Sequence, residues 1–237
     1  MEALSRVMVH RLGRMSFANA FALQKELLKT ESDHLLFVEH PPVYTCGRLH
    51  FKDIDDYLNR NELDGAEYDE FKSSVEKIDR GGNVTFHGNG QLVVYPIFDL
   101  RRSPFKKDLH WYLRQCENVI IDVLDNRYGL KSQYGFDCYH DEQYTGVWLK
   151  NDDYSSKQYK ICAVGIGVSR WRTFHGLAFN INTDLNHFHK VTFVVFRDVV
   201  WWRRHKSVSI SPPHHIPKYN KLCSRLSHAV SPRLGKL

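Results

Sequence analysis

The chain has 237 residues, 42% hydrophobic and 13% aromatic, which suits one large α/β domain or two small ones with a packed core. Its formal charge of +6 looks like a nucleic-acid signal, but residues 191–237 hold nine Lys or Arg and one acid, which leaves the first 190 residues at −2 and excludes a nucleic-acid platform in the body. No apolar run approaches the ~18–20 residues of a membrane-spanning helix, and the five cysteines (46, 116, 138, 162, 223) form no CxxC pair, which points to free thiols in a reducing compartment.

The opening "MEALSRVMVHRLGRM" has three arginines and one acid and reads as a short, weak transit signal. "SFANAFALQKELLK" (16–29) predicts a helix with Ser16 as N-cap, its apolar face built from Phe17, Ala20, Phe21, Leu23, Leu27 and Leu28. "HLLFVEHPPVYTCG" (34–47) reads as a buried strand, a Pro-Pro break and a second short strand. Residues 50–72 are polar and acidic, with a short helix expected in a surface excursion. Strands are predicted at 74–79, 83–87 and 91–100, broken by Gly81-Gly82 and by Gly88 and Gly90. The longest predicted helix spans 107–130, capped by Asp108 and closed by Gly129. A hairpin with a long polar loop is expected over 146–168, and another strand over 174–185. So many closely joined strands leave no room for helical crossovers, so the fold class is α/β with a mixed, mostly antiparallel sheet and flanking helices. After Lys190 the chain loses amphipathic periodicity. The expected division is therefore a body over 1–190 and an atypical, poorly ordered basic tail over 191–237.

Three segments carry chemistry. In "RGGNVTFHGNGQ" (80–91), adjacent glycines between strands allow close backbone approach to a ligand and expose N–H groups that can hold a carbonyl or phosphate oxygen. Thr85 and His87 sit two apart on a strand and share a face. A plain hairpin with a surface histidine explains that segment equally well, and no G-x-G-x-x-G follows a strand to open a helix. In "KICAVGIGV" (160–168), Lys160 heads an apolar strand, either snorkelling at an edge or pointing into a pocket where it lowers a thiol's pKa. Cys162 lies two residues on, so both are expected on one strand face. In "FHGLAFN" (174–180), a histidine-glycine pair interrupts an apolar strand. "CYHDE" (138–142) is too crowded for tetrahedral zinc, and no metal site is expected.

Together these segments resemble the octanoyltransferases, the lipoyl(octanoyl) transferases. "RGGNVTFHGNGQ" is similar to the family's RGGxxTxHGPGQ, "YTGVWL" with "KICAVG" to its GVW strand pair, and "SRWRTFHGLAFNINTDLNHF" to its histidine-glycine and Asp-Leu segment. "VHRLGRMSFANAFALQ" and "EHPPVYTCG" fit too, and the resemblance covers about residues 7–189. It implies the fold shared by biotin and lipoate protein ligase catalytic domains. It implies octanoyl transfer from octanoyl-acyl carrier protein to a lysine of lipoyl domains, those of 2-oxoacid dehydrogenases and the glycine cleavage H protein, with no cofactor, nucleic acid or membrane. It implies substrate contacts at Arg80, Gly81, Gly82, Asn83, Val84, Thr85, Phe86 and His87, at Ala163, Val164 and Gly165, and at Gly176, Leu177 and Ala178. Lys160 would lower the pKa of a cysteine nucleophile that forms an acyl-thioester.

The chain departs from the family where that cysteine belongs. The family's Pro-Cys-Gly element follows its Asp-Leu segment, whereas here "TDLNHFHK" runs into "VTFVVF" and no Pro-Cys-Gly occurs. Asn89 also replaces the proline of HGPGQ. The chain is therefore expected to be inactive or nearly so. The alternatives are a non-catalytic module that binds an acyl carrier or lipoyl domain, and an ATP-dependent lipoate ligase, whose longer glycine run is missing here. Lys190-Val191-Thr192 can be encoded with a splice-donor-like GTAA, so retained intron sequence is one expected origin of the tail; that points to a eukaryote and a mitochondrial location, with the cytoplasm as alternative.

Overall fold

The computed structural model describes residues 7–47, 75–82, 84–151, 158–188 and 205–207. The excursion predicted at 50–72 lies outside the described residues.

The body is a mixed sheet with a helix against each face. Its strands are β1 (Met8–Arg14), β2 (His34–Glu39), β6 (Gln91–Ile97), β7 (Phe136–His140), β8 (Val147–Asn151), β9 (Gln158–Ser169), β10 (Arg172–Asn180) and β11 (His205–Ser207). They run in the order β1-β2-β6-β10-β9-β8-β7, with β11 also paired to β9. A second, three-stranded sheet has the order β4-β3-β5, from β4 (Val75–Lys77), β3 (Val43–Cys46) and β5 (Val84–His87). All pairs are antiparallel except β1 with β2, β3 with β4 and β11 with β9.

Alternation along the central strands divides the core. Leu35 and Phe37 of β2 and Leu92 and Val94 of β6 face one side, with Tyr112, Cys116, Val119 and Ile120. Those four belong to α2 (Leu109–Asp122), whose Asp108 caps its start by accepting from Trp111 N at 3.0 Å. Leu36 and Val38, with Val93, Tyr95 and Ile97, face the other side and meet Ala20. Ala20 belongs to α1 (Phe17–Leu27), whose N-cap Ser16 accepts from Asn19 N at 3.3 Å. Beyond α2 the helix widens into a π-helical turn over Val123–Arg127, and Gly129 stops it in the left-handed region at φ 60°. A short α3 (Leu130–Tyr134) then leads into β7.

Two expectations change. Residues 8–14, read as part of a transit signal, form β1, which pairs along β2. The short alternating run at 8–14 was masked by its arginines, which an edge strand tolerates on its exposed side. The Gly88-Asn89-Gly90 turn does not close a hairpin, because β5 pairs with β3 while β6 pairs with β2 and β10. It is a corner between sheets. Gly90, at φ 75°, has its carbonyl accepting from Ile181 N and Asn182 N, and a Cβ there would lie 2.1 Å from Asn182 O. Of the predicted tail, 205–207 form β11; the rest lies outside the described residues.

Candidate active site

β5 supplies the first wall. Phe86 turns toward Tyr44 and stacks on His187 at 4.3 Å between ring centroids. His87, next in sequence, takes the opposite side, where its ring is parallel to Phe17 at 6.2 Å. His175 of β10 also lies parallel to Phe17 and stacks on Phe21 at 5.0 Å. His40, which follows β2, meets His87 edge-on at 5.9 Å. Three histidines thus gather around the aromatic face of α1.

Hydrogen bonds fix the tautomers of His40 and His87. His40 Nδ1 donates to Met15 O at 2.7 Å, so its Nε2 accepts from the Tyr95 hydroxyl at 2.8 Å. Gln91 Nε2 donates to Phe86 O and Asn180 Oδ1, so Gln91 Oε1 accepts from His87 Nδ1 at 2.7 Å. The His87 Nε2 lone pair is left facing Thr45 Oγ1 at 3.5 Å. Burial, reinforced by His40, holds His87 down to about 3, and burial holds His175 down to about 3 as well. Both rings are neutral at physiological pH. His175 Nε2 has no hydrogen-bond partner, and its backbone sits at φ 56°, an uncommon conformation for a residue with a side chain.

Arg80 reaches the same place. Its Nη2 donates to Thr45 O at 2.8 Å and Thr45 Oγ1 at 3.0 Å, and its Nη1 donates to Gly81 O at 2.9 Å. Burial pushes the guanidinium down to about 10, and the neighbours that favour its charge are Cys46 and Tyr95. A buried cation held by carbonyls and a hydroxyl is suited to a ligand oxygen carrying partial negative charge.

The other segments join this wall through the sheet. Gly176 pairs with Gly165, Leu177 with Val164 and Ala178 with Ala163. A Cβ at Gly165 would come within 3.1 Å of Arg80 Cδ and 3.3 Å of Gly81 O. Gly81 N donates to Ile166 O at 3.3 Å, so this N–H is engaged and does not serve as the oxygen-binding donor expected from the sequence. Gly82 has φ 83°, and a Cβ on Gly81 would make an ordinary contact with Ile166 O at 3.9 Å. Asn83 lies outside the described residues. Val84 is buried and Thr85 half-buried, paired with Thr45.

Lys160 and Cys162 do not share a face. Val147 pairs with Cys162 and Trp148 with Lys160, so two steps of β9 match one step of β8. The extra residue, Ile161, makes a β-bulge that resets the alternation. Ile161, Cys162 and Val147 all enter the core against α2. Lys160 takes the Trp148 side, with Nζ 4.5 Å from that ring's centroid and donating to Thr145 O at 2.9 Å. Burial pushes Lys160 down to about 8, against Cys162, Glu117 and Asp141, which favour its charge. For Cys162, burial first and Glu117 second raise the thiol well above its usual range, and the opposing pull of Lys160 does not prevail.

A family model for the lipoyl protein ligase A/B catalytic domain matches residues 16–219. An octanoyltransferase of Nostoc punctiforme is 39% identical over 190 residues, covering 78% of this chain and 72% of that protein. The chain belongs to the octanoyltransferase family. A chloroplastic octanoyltransferase of Arabidopsis thaliana is 38% identical over 74% of this chain, which spans only 58% of that protein. A bipartite lipoate protein ligase of Thermoplasma acidophilum superimposes with a TM-score of 0.62 at 14% identity, over 97% of this chain and 84% of that one. Lipoate-protein ligase A bound with ATP gives 0.62 at 16% identity, over 97% and 85%. These two likenesses show the ligase fold.

Within this octanoyltransferase frame, several residues of the cluster had no clear signal in sequence. Phe17 and Phe21 read as ordinary core, although Gln24, about one turn beyond Phe21, is buried and accepts from His175 N at 2.7 Å. Tyr95 was a strand residue outside the three segments, and His40, Thr45, Gln91 and Asn180 lay inside or beside quoted segments without being singled out. A buried glutamine on an apolar helix face was the one available hint, because such a group needs a partner.

Proposed function

We propose that this chain holds the octanoyl thioester of an acyl carrier protein against the wall made by Arg80–His87, Ala163–Gly165 and Gly176–Ala178, for delivery to a lysine of a lipoyl domain. The observation that carries this reading is the convergence of three distant segments beside Phe17, Arg80 and His87 in a chain 39% identical to an octanoyltransferase. The thioester is already activated, so the reaction needs no ATP. In the two-step route a cysteine accepts the acyl group and Lys160 keeps that thiol ionised. We further propose that this chain lacks that cysteine and binds its donor without becoming acylated. The placement of Cys162 in the core favours this second part. Direct attack by the acceptor lysine is slow, since an amine with pKa near ~10.4 is mostly protonated at neutral pH.

Native mass spectrometry with octanoyl-carrier protein tests the binding site. Gly81→Val adds a side chain on the wall without a clash at its Cβ, whose nearest described atom is Ile166 O at 3.9 Å. The complex is expected with the parent chain and lost in a folded Gly81→Val variant. Equal binding by both would reject the placement.

A further inference from the structure

Glu117 has no part in the chemistry described so far, yet it is a carboxylate with no exposed surface in the middle of α2. Its Oε1 accepts from Gly146 N at 2.6 Å and its Oε2 from Arg114 Nη1 at 2.7 Å. Gly146 is the residue over which Lys160 lies. A Cβ on Gly146 would come within 3.1 Å of Lys160 Cε and 2.7 Å of Cys162 O, and its φ of 126° also favours glycine. The residue before it, Thr145, offers the carbonyl that receives the Lys160 ammonium, and its hydroxyl donates to Val164 O at 3.4 Å. Trp148, under the ammonium, is tied back to Tyr144 O at 3.3 Å. The described contacts of the Lys160 ammonium are therefore made by residues 145 and 148, and Glu117 fastens that segment from beneath the sheet.

A buried carboxylate needs donors enough to offset its desolvation. Glu117 has one from a side chain and one from the backbone. The backbone donor is the informative one, because a purely structural carboxylate on α2 would be satisfied by Arg114 and solvent at the helix surface. Instead it reaches past the helix to the strand edge. We propose that Glu117 is a positioning residue for Lys160: it fixes the Thr145-Gly146 backbone on which the lysine rests, and so sets a carboxylate behind the segment that holds the ammonium. The proposal rests on the reading of Lys160 as the lysine of the acyl site. It takes the lysine's partner from the helix rather than from its own strand.

Among the described residues, the titratable and charged groups that bear on Lys160 are the neutral Cys162 thiol on β9, Glu117 with its partner Arg114 on α2, and Asp141 after β7. Changing the charge on α2 in either direction should therefore move the lysine in opposite directions. Glu117→Gln keeps an acceptor for Gly146 N and removes the charge. Arg114→Ala keeps the carboxylate and strips its counter-charge. The experiment is competitive labelling of the intact protein with an amine-reactive reagent across pH, with Lys160 quantified by peptide mass spectrometry. It reads the lysine directly and needs no transfer activity, so its failure is distinguishable from failure of the octanoyl-binding reading. The pH of half-reactivity is expected to fall by about one unit in Glu117→Gln, a tenfold loss of proton affinity, and to rise in Arg114→Ala. Shifts of the same sign in both variants, or no shift in either while circular dichroism shows the fold intact, would overturn the proposal. Should Glu117→Gln fail to fold, the upward shift in Arg114→Ala, whose side chain is partly exposed, decides alone.

Discussion

His87 and His175 are the residues at which the proposed acyl site and the stability of the fold meet. Both are buried and neutral, with pKa values held down to about 3 from an ordinary 6.5. Above pH 6.5 neither folded nor unfolded chain protonates them, so they leave stability unchanged there. Below it the unfolded chain binds protons that the folded one refuses, and stability falls by about 1.4 kcal/mol per histidine per pH unit until the folded value is reached. Urea unfolding midpoints should therefore drop between pH 7 and pH 5, and His87→Gln should make that drop shallower. An unchanged slope would mean that His87 is not buried neutral. Cys162 makes the opposite point about reactivity. It lies two residues from a lysine, the pattern of an activated thiol, but the bulge at Ile161 turns it into the core. Iodoacetamide at pH 8 should leave Cys162 unmodified in the folded protein, and Cys162→Val should cost no more than about 1.5 kcal/mol. Rapid alkylation at that position would contradict the assignment.

At the scale of elements, what the sequence made legible was what periodicity and caps encode. The α1 and α2 spans follow from apolar spacing with Ser16 and Asp108 at their starts, and the β2–β3 break follows from Pro41-Pro42. The three site segments were visible as glycines and histidines in unusual places on strands. What was illegible depends on pairing. Nothing in "KICAVG" announces a bulge, because a bulge is a mismatch between two strands and only one of them is in view. The turn at 88–90 has hairpin chemistry, and only the partners of β5 and β6 show that it is a corner. The Arg80–Thr45–His87–Gln91–Asn180 chain of polar contacts joins four strands and the loop carrying Arg80; Arg80, His87 and Gln91 share one motif, but nothing local shows that Thr45 and Asn180 complete the chain. Glycine shows the same limit. Gly13 and Gly176 look alike in sequence but are required for different reasons. Gly13 stands at an irregularity of β1 with φ 63° and nothing within 4 Å of a Cβ, so Gly13→Ala should cost only about 1 kcal/mol of backbone strain. A Cβ on Gly176 would lie 2.1 Å from Val94 O, a backbone atom in the central strand. Gly176→Ala should cost at least about 3 kcal/mol by overpacking β10 against β6, measured by the same urea unfolding. Equal costs at the two positions would mean that the β6–β10 approach is looser than described.

At the scale of the whole molecule, the chain keeps the octanoyltransferase framework, with α1 and its aromatic face over the proposed acyl site and α2 holding the Lys160 end of the sheet. Its site residues come from β3, β5, β6, β9 and β10 and from the connections between them, and both sheets contribute. The central claim is that this framework retains the proposed substrate site while no thiol among the described residues is placed to receive the acyl group. Intact-mass spectrometry of the protein after incubation with octanoyl-carrier protein, under conditions in which the noncovalent complex forms, tests it most directly. The account predicts an unchanged mass for the released chain at every pH at which it stays folded. Addition of one octanoyl group, mapped to any cysteine, would contradict it.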